Sequence, residues 1–410
     1  MTVLSRRAAV LVFLAFALAY FLSALIRAIT ATLSPVLMQE FQLQARDLGL
    51  LGGAYFLGFS ITQLPLGTWL DRHGPRRVLL GFLAVAVMGC LAFSAATSLP
   101  GLFAARMLCG VGVSACLMAP LTGYRRWFAP AVQMRSNSWM LMAGSMGMVA
   151  STLPVQWLMP VLGWRPLFIV LAALIALAMA GVAWRVPAWS AAPSTGGAAP
   201  AAKGYAEVWA HPYFRALLPM GFFCYGGLVA VQTLWAAPWM VTMAGYSSLQ
   251  AATGMFWINV SMLCAFWSWG IATPWLVRKG WPADRLMCWG MPVSFAVLAG
   301  TIAITAAWPG AATALLAAYC VTCSCVTLSQ PAVGMAFPSA LAGRALSAFN
   351  LVIFLGVFVV QWSIGLMIDG LGALGLARQS AFQLAMGVFL ACCMASYVYY
   401  LRAAGHNRAT

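Results

Sequence analysis

Residues 47–70 read DLGLLGGAYFLGFSITQLPLGTWL, residues 71–77 read DRHGPRR, and residues 78–97 read VLLGFLAVAVMGCLAFSAAT. A helix needs about 20 predominantly apolar residues to cross roughly 30 Å of hydrocarbon. Both flanking runs reach that length. The short turn between them carries Asp71, Arg72, His73, Arg76 and Arg77 and is too polar to lie in lipid. The stretch therefore reads as a membrane hairpin whose turn lies in water.

The rest of the chain repeats this pattern. Of 410 residues, 63% are hydrophobic and only 7% are charged, where a soluble domain carries about 25% charged residues. So few charges cannot coat a water-facing surface, but they suffice where the perimeter is lipid. Candidate spans fall near 8–34, 47–70, 78–97, 100–123, 136–159, 166–184, 215–240, 249–277, 286–307, 310–340, 345–368 and 380–401. The predicted fold is an all-α membrane protein of twelve helices. Pro331 and Pro338 interrupt the tenth.

The net charge of +16 does not point to nucleic acid, because the basic residues are scattered between apolar runs. With the N-terminus in the cytoplasm, 17 of the 22 Lys and Arg fall in inner loops or tails, and only Arg46, Arg165 and Arg378 lie outside. Basic residues concentrate on the inner side. This predicts an inner-membrane protein with both ends cytoplasmic. Ser5-Arg6-Arg7 resembles a twin-arginine signal, but the following apolar run is too long for one. Residues 186–210, with Pro187, Pro193, Gly196, Gly197 and Pro200, predict a cytoplasmic linker between a first half (1–185) and a second half (211–410).

Three motifs add a resemblance. Gly67-Thr-Trp-Leu-Asp71-Arg72-His73-Gly74-Pro75-Arg76-Arg77 resembles the G-x-x-x-D-R-x-G-R-R loop of the major facilitator superfamily. Arg106-Met-Leu-Cys-Gly110-Val-Gly112 resembles its R-x-x-x-G-x-G pattern in span four. Gly163-Trp164-Arg165-Pro166-Leu167-Phe168 resembles its G-W-R-x-x-F turn before span six. The matching second-half loop, Thr273 to Gly280, lacks the acidic residue. The resemblance implies two pseudo-symmetric six-helix bundles that rock around a central site, giving alternating access. It gives Gly67, Asp71, Arg72, Gly74, Arg76, Arg77 and Arg106 a gating role. Asp71 would meet the positive N-terminal end of span eleven. Arg72, Arg76 and Arg77 also enforce topology, and Arg106 would fasten the first bundle or serve the transport cycle.

Arg27 is the most informative single residue, because a guanidinium inside a span usually faces a water-filled cavity or a partner. Tyr20, Ser23, Arg27, Ala31 and Ser34 follow helical spacing and form one polar stripe. A guanidinium pairs with carboxylate or phosphate through two parallel hydrogen bonds, so the stripe reads as an anion clamp. The alternative is that Arg27 snorkels to the outer surface or pairs with Glu40 or Asp47. Arg27 also resembles the span-one arginine of the organic-anion and organophosphate branches. The phosphate antiporters carry a second arginine in span seven, and this sequence has none there. A monoanion or zwitterion therefore fits better than a phosphate ester.

Further candidate substrate-binding residues are Tyr55 and Gln63 on span two, Tyr225, Gln232 and Trp235 on span seven, Asn259 on span eight, and Asn350 and Gln361 on span eleven. For each aromatic, packing or interfacial anchoring competes with a substrate role. No Asp, Glu or His falls at mid-span, so no buried proton relay is visible. Coupling to a proton or a counter-anion stays open, with Asp47 and Asp369 as end-of-helix carboxylates.

The expected function is a secondary or facilitative transporter of a small organic anion or amphipathic metabolite, acting as a monomer in the bilayer. The alternatives are a drug efflux pump, suggested by 18 Trp and 23 Met, and a Cu(I) carrier, suggested by Met140, Met142, Met146 and Met148 on span five. The 11 Cys show no paired CxxC spacing and predict neither disulfide nor metal site. No cofactor is expected. No nucleophile–base pair or phosphate loop suggests an enzyme.

Overall fold

The computed structural model describes residues 4–189 and 201–409. The middle of the expected linker, residues 190–200, lies outside the described residues. Among the described residues the regular elements are all helical. Ten stretches are long and apolar enough to cross a membrane: Arg6–Phe41, Gln63–Ala95, Leu99–Trp127, Trp164–Arg185, Pro212–Ala244, Ser248–Arg278, Ala283–Ile304, Pro309–Ala336, Leu341–Ala373 and Arg378–Ala403. Two broken segments complete the twelve spans. Span two runs through Ala45–Ile61 into the start of Gln63–Ala95, whose kink at Gly74 begins span three. Span five is divided into Pro130–Ala150 and Leu153–Leu162.

Each break has a local cause. Proline lacks the N–H that continues a helix, and beside each proline a hydroxyl bonds back to a carbonyl of the preceding turn. In span two, Thr62 Oγ1 donates to Phe59 O at 2.8 Å, three residues ahead of Pro65. In span five, Ser151 and Thr152 donate to Met148 O and Val149 O, both at 2.6 Å, just before Pro154. Span ten tightens into a 3-10 turn at Ser324–Leu328 and ends at Ala336. It does not run to 340, because Phe337 is extended ahead of Pro338. The sequence pattern also shortens span one, whose helix runs unbroken through Pro35 to Phe41.

By contacts the chain separates into two units, Met1–Thr30 with Ala54–Gly197 and Ala31–Gly53 with Ala198–Thr410. The end of span one and the start of span two thus group with second-half helices. In the first unit, span four presses on spans two and three through the glycines of its motif. A Cβ at Gly110 would lie 1.9 Å from Tyr55 O, and one at Gly112 would lie 2.2 Å from Ala86 N. In the second unit, span seven is not a plain α-helix. It contains two π-helical turns, Gly221–Tyr225 and Val231–Trp235. Such wide turns are rare and concentrate at functional sites.

Candidate functional site

The first unit gathers Tyr20, Ser23, Arg27, Tyr55 and Arg106 around the middle of span one. Tyr55 is fully buried and donates from its hydroxyl to Ser23 O at 3.3 Å. The Arg27 guanidinium stands near this hydroxyl. It lies 5.6 Å from the centre of the Phe59 ring. Arg27 itself is half-buried. The Phe59 ring face and the Tyr55 phenol thus stand beside this cation. Gln63 is buried and turns back onto its own helix, donating to Phe59 O at 3.2 Å.

Arg106 lies one layer deeper. It is fully buried and donates from Nη1 to Ile26 O at 3.0 Å. Its guanidinium faces the Tyr55 ring at 5.3 Å and the Phe93 ring at 6.0 Å. Nε and Nη2 find no hydrogen-bond partner. Buried hydrogen bonds to a charged group contribute about 1.5–3 kcal/mol each. Arg106 therefore fixes the backbone of span one beside Arg27. Cys90 and Cys109 sit close by, with sulfurs 3.9 Å apart.

The loop motif is built around Trp189, which the sequence pattern does not single out. Gly74 has φ +77°, and a Cβ there would lie 2.2 Å from the Trp189 side chain. Only glycine fits both demands. Trp189 Nε1 donates to Asp71 O at 3.3 Å, and Arg126 stacks on its ring at 4.4 Å. Gly67, Asp71, Arg72 and Arg77 lie on this exposed end of span two and the start of span three, with Arg76 half-buried.

The second unit holds a chain of amides. Tyr225 donates to Gln330 Oε1 at 3.2 Å, and Gln330 Nε2 donates to Asn350 Oδ1 at 2.6 Å. Spans seven, ten and eleven are linked in this way. Gln232 Nε2 donates to Asn259 Oδ1 at 2.9 Å, and Asn259 Nδ2 donates to Met255 O at 2.9 Å. Gln361 is fully buried and donates to Thr233 Oγ1 at 3.0 Å, while its backbone carbonyl accepts from Trp235 Nε1 at 3.1 Å. Trp235 and Trp239 both pack edge-on against Phe382. Trp235 and Gln361 are therefore packed inside the unit, whereas Tyr225, Gln330 and Asn350 are half-exposed. Gln330 was legible only as a polar residue beside Pro331.

All 11 cysteines are free thiols. Among the described residues, no group of three His, Cys, Asp or Glu could hold a metal ion. The span-five methionines do not share a face, since Met140 is fully buried and Met146 is 54% exposed.

The comparisons with known proteins agree with this architecture. The multidrug transporter MdfA of Yersinia pestis bv. Antiqua (strain Angola) is 29% identical over 174 residues, covering 42% of this chain and 40% of its own length. The 4-hydroxybenzoate transporter PcaK of Acinetobacter baylyi is 27% identical over 137 residues, 33% of this chain and 30% of its own length. A probable L-galactonate transporter of Escherichia coli (strain K12) is 30% identical over 141 residues, with the same shares. The chain thus matches well under half the length of these curated relatives. Among solved structures, the POT family transporter PepTSo superposes with a TM-score of 0.79 at 13% identity, covering 99% of each chain. An inward-facing bacterial homolog of the human lysosomal transporter Spinster gives 0.73 at 18% identity, covering 97% of each. These likenesses establish the fold. The model of the Major Facilitator Superfamily matches residues 16–361, and the chain belongs to that family.

Proposed function

We propose that this protein is a secondary transporter that works by alternating access and moves a small organic monoanion across the inner membrane. The observation that carries the reading is Arg27. It is a half-buried guanidinium on a membrane span, beside Phe59 and Tyr55, with Ser23 and Tyr20 on the same helical stripe. A guanidinium in a low-dielectric site pairs with a planar carboxylate through two parallel hydrogen bonds. Two relatives carry the names of small carboxylates, 4-hydroxybenzoate and L-galactonate, which supports the same class. The amide chain Tyr225–Gln330–Asn350 and the pair Gln232–Asn259 are the second unit's substrate candidates. Asp71 and the basic loop that follows it are the gate.

The basic bias of the loops supports cytoplasmic termini, with residues 186–210 joining the halves on that side. The protein acts as a monomer, and its candidate coupling partners are a proton and a counter-anion. The MdfA match favours a second reading, efflux of amphipathic drugs. A thermal-shift series on the purified protein separates the two. A ligand that binds the folded state raises its stability by mass action. The anion reading expects 4-hydroxybenzoate to stabilise the protein and 4-hydroxybenzamide to do so much less. Equal stabilisation by both, or by neutral drugs alone, overturns it.

A further inference from the structure

The residue ahead of span two supplies no capping side chain. Gln44 precedes the helix, and glutamine is not among the residues that cap helices well. The cap comes from 324 residues further along. Asp369, in the last turns of span eleven, accepts Ala45 N–H at 3.2 Å through Oδ1 and Arg46 N–H at 2.7 Å through Oδ2. Asp47 folds back to accept Gln44 N–H at 3.0 Å. Two carboxylates thus serve three backbone donors at the positive end of this helix. Behind the cap the two backbones touch. A Cβ at Gly49 would lie 2.3 Å from Gln361 O, and one at Gly365 would lie 2.3 Å from Ala45 O.

This contact is fastened by charge at its open end. Asp369 borders a cavity of about 750 Å³ together with Gln44, Arg46 and Arg378, so water reaches the carboxylate. Arg46 is held beside Asp47 at 3.8 Å, and Arg378 stands on the cavity wall. Both can receive the Asp369 carboxylate once it leaves the helix end. Letting go of the cap exposes polar groups that water satisfies, while Leu48 and Leu51 behind it are fully buried.

We propose that Asp369 is a latch of the transport cycle, a positioning residue whose carboxylate holds residues 45–53 against span eleven and releases them once per turnover. The proposal rests on the transporter reading, but its test needs no substrate. Amide hydrogen exchange reports local opening directly. In the full-length protein in nanodiscs, Asp369→Ala should raise exchange across residues 45–53 by about tenfold or more. Asp369→Asn should raise it less, because one acceptor remains, and Asp369→Glu should restore protection. Exchange in span nine should stay as in the wild type. No change across 45–53 overturns the proposal. So does a uniform rise through all spans with a lowered melting temperature, which would mark a merely structural cap. A second measurement tests the cycle. Spin labels on the exposed residues Gln39 and Leu374, in a Cys264→Ser background, should report two distances in the wild type. Asp369→Ala should shift the population to the longer one. One unchanged distance in both proteins overturns the latch.

Discussion

Arg106 of span four donates a 3.0 Å hydrogen bond to the carbonyl of Ile26, the residue that precedes Arg27. The bond is long-range in sequence and fully buried. It ties the family's span-four arginine to the backbone turn that carries the candidate anion clamp. Arg106→Lys keeps the charge but loses the planar fork, and the shorter reach leaves Ile26 O without its donor. We expect a loss of about 1.5–3 kcal/mol in stability, measured as a lowered melting temperature in detergent. Anion affinity should fall as well, although Arg106 touches no ligand in this reading.

The span-four glycines predict a contrast in stability. Gly110→Ala would put a Cβ 1.9 Å from Tyr55 O, and backbone cannot step aside cheaply. Overpacking of this kind costs about 1–3 kcal/mol or more. Gly67→Ala meets nothing within 4 Å and gains helix propensity. Thermal unfolding of the two variants should show a large fall for Gly110→Ala and none for Gly67→Ala.

The pair Gln232–Asn259 predicts a measurable coupling. Each amide is buried, and the bond between them spans 2.9 Å. Interhelical hydrogen bonds in membranes average about 0.6 kcal/mol by double-mutant cycles. Gln232→Leu and Asn259→Leu should each destabilise the protein, and the double variant should cost less than the sum. Strict additivity would show that the two amides do not depend on one another.

The twelve spans were readable because lipid imposes a length and a composition that no soluble helix needs to meet. The breaks were less readable. Pro65 and Pro154 lie beside them, where the hydroxyls of Thr62, Ser151 and Thr152 bond back to the preceding turn. The π turns of span seven leave no mark in a hydrophobic pattern, so the candidates Tyr225, Gln232 and Trp235 on it mix open and packed positions. The Trp235 N–H goes to the Gln361 backbone carbonyl and the Gln361 Nε2 to Thr233, while Gln361 Oε1 is buried with no hydrogen-bond partner. Trp189 and Asp369 illustrate the other difficulty. Their partners, Asp71 and Gly74 for one and Ala45 and Arg46 for the other, lie more than a hundred residues away. Spacing rules cannot find such pairs.

The decisive prediction concerns Arg27. Its guanidinium stands beside the Phe59 ring and the Tyr55 hydroxyl, and a planar guanidinium can form a two-bond pair with a carboxylate. Arg27→Lys preserves the charge but offers a point donor on a flexible stem, so affinity for a carboxylate should drop by about tenfold, the equivalent of one charge-assisted hydrogen bond of roughly 1.4 kcal/mol. Arg27→Ala should abolish saturable anion binding while the protein still inserts and melts cooperatively, because neither ring depends on the cation for its burial. Tyr55→Phe removes the hydroxyl beside the guanidinium and keeps the ring, so it should weaken binding by less than Arg27→Lys does. Isothermal titration with 4-hydroxybenzoate and 4-hydroxybenzamide reads all three variants. Affinity that is indifferent to the charge of the ligand, or unchanged in Arg27→Ala, would remove the anion clamp and leave the efflux reading in its place.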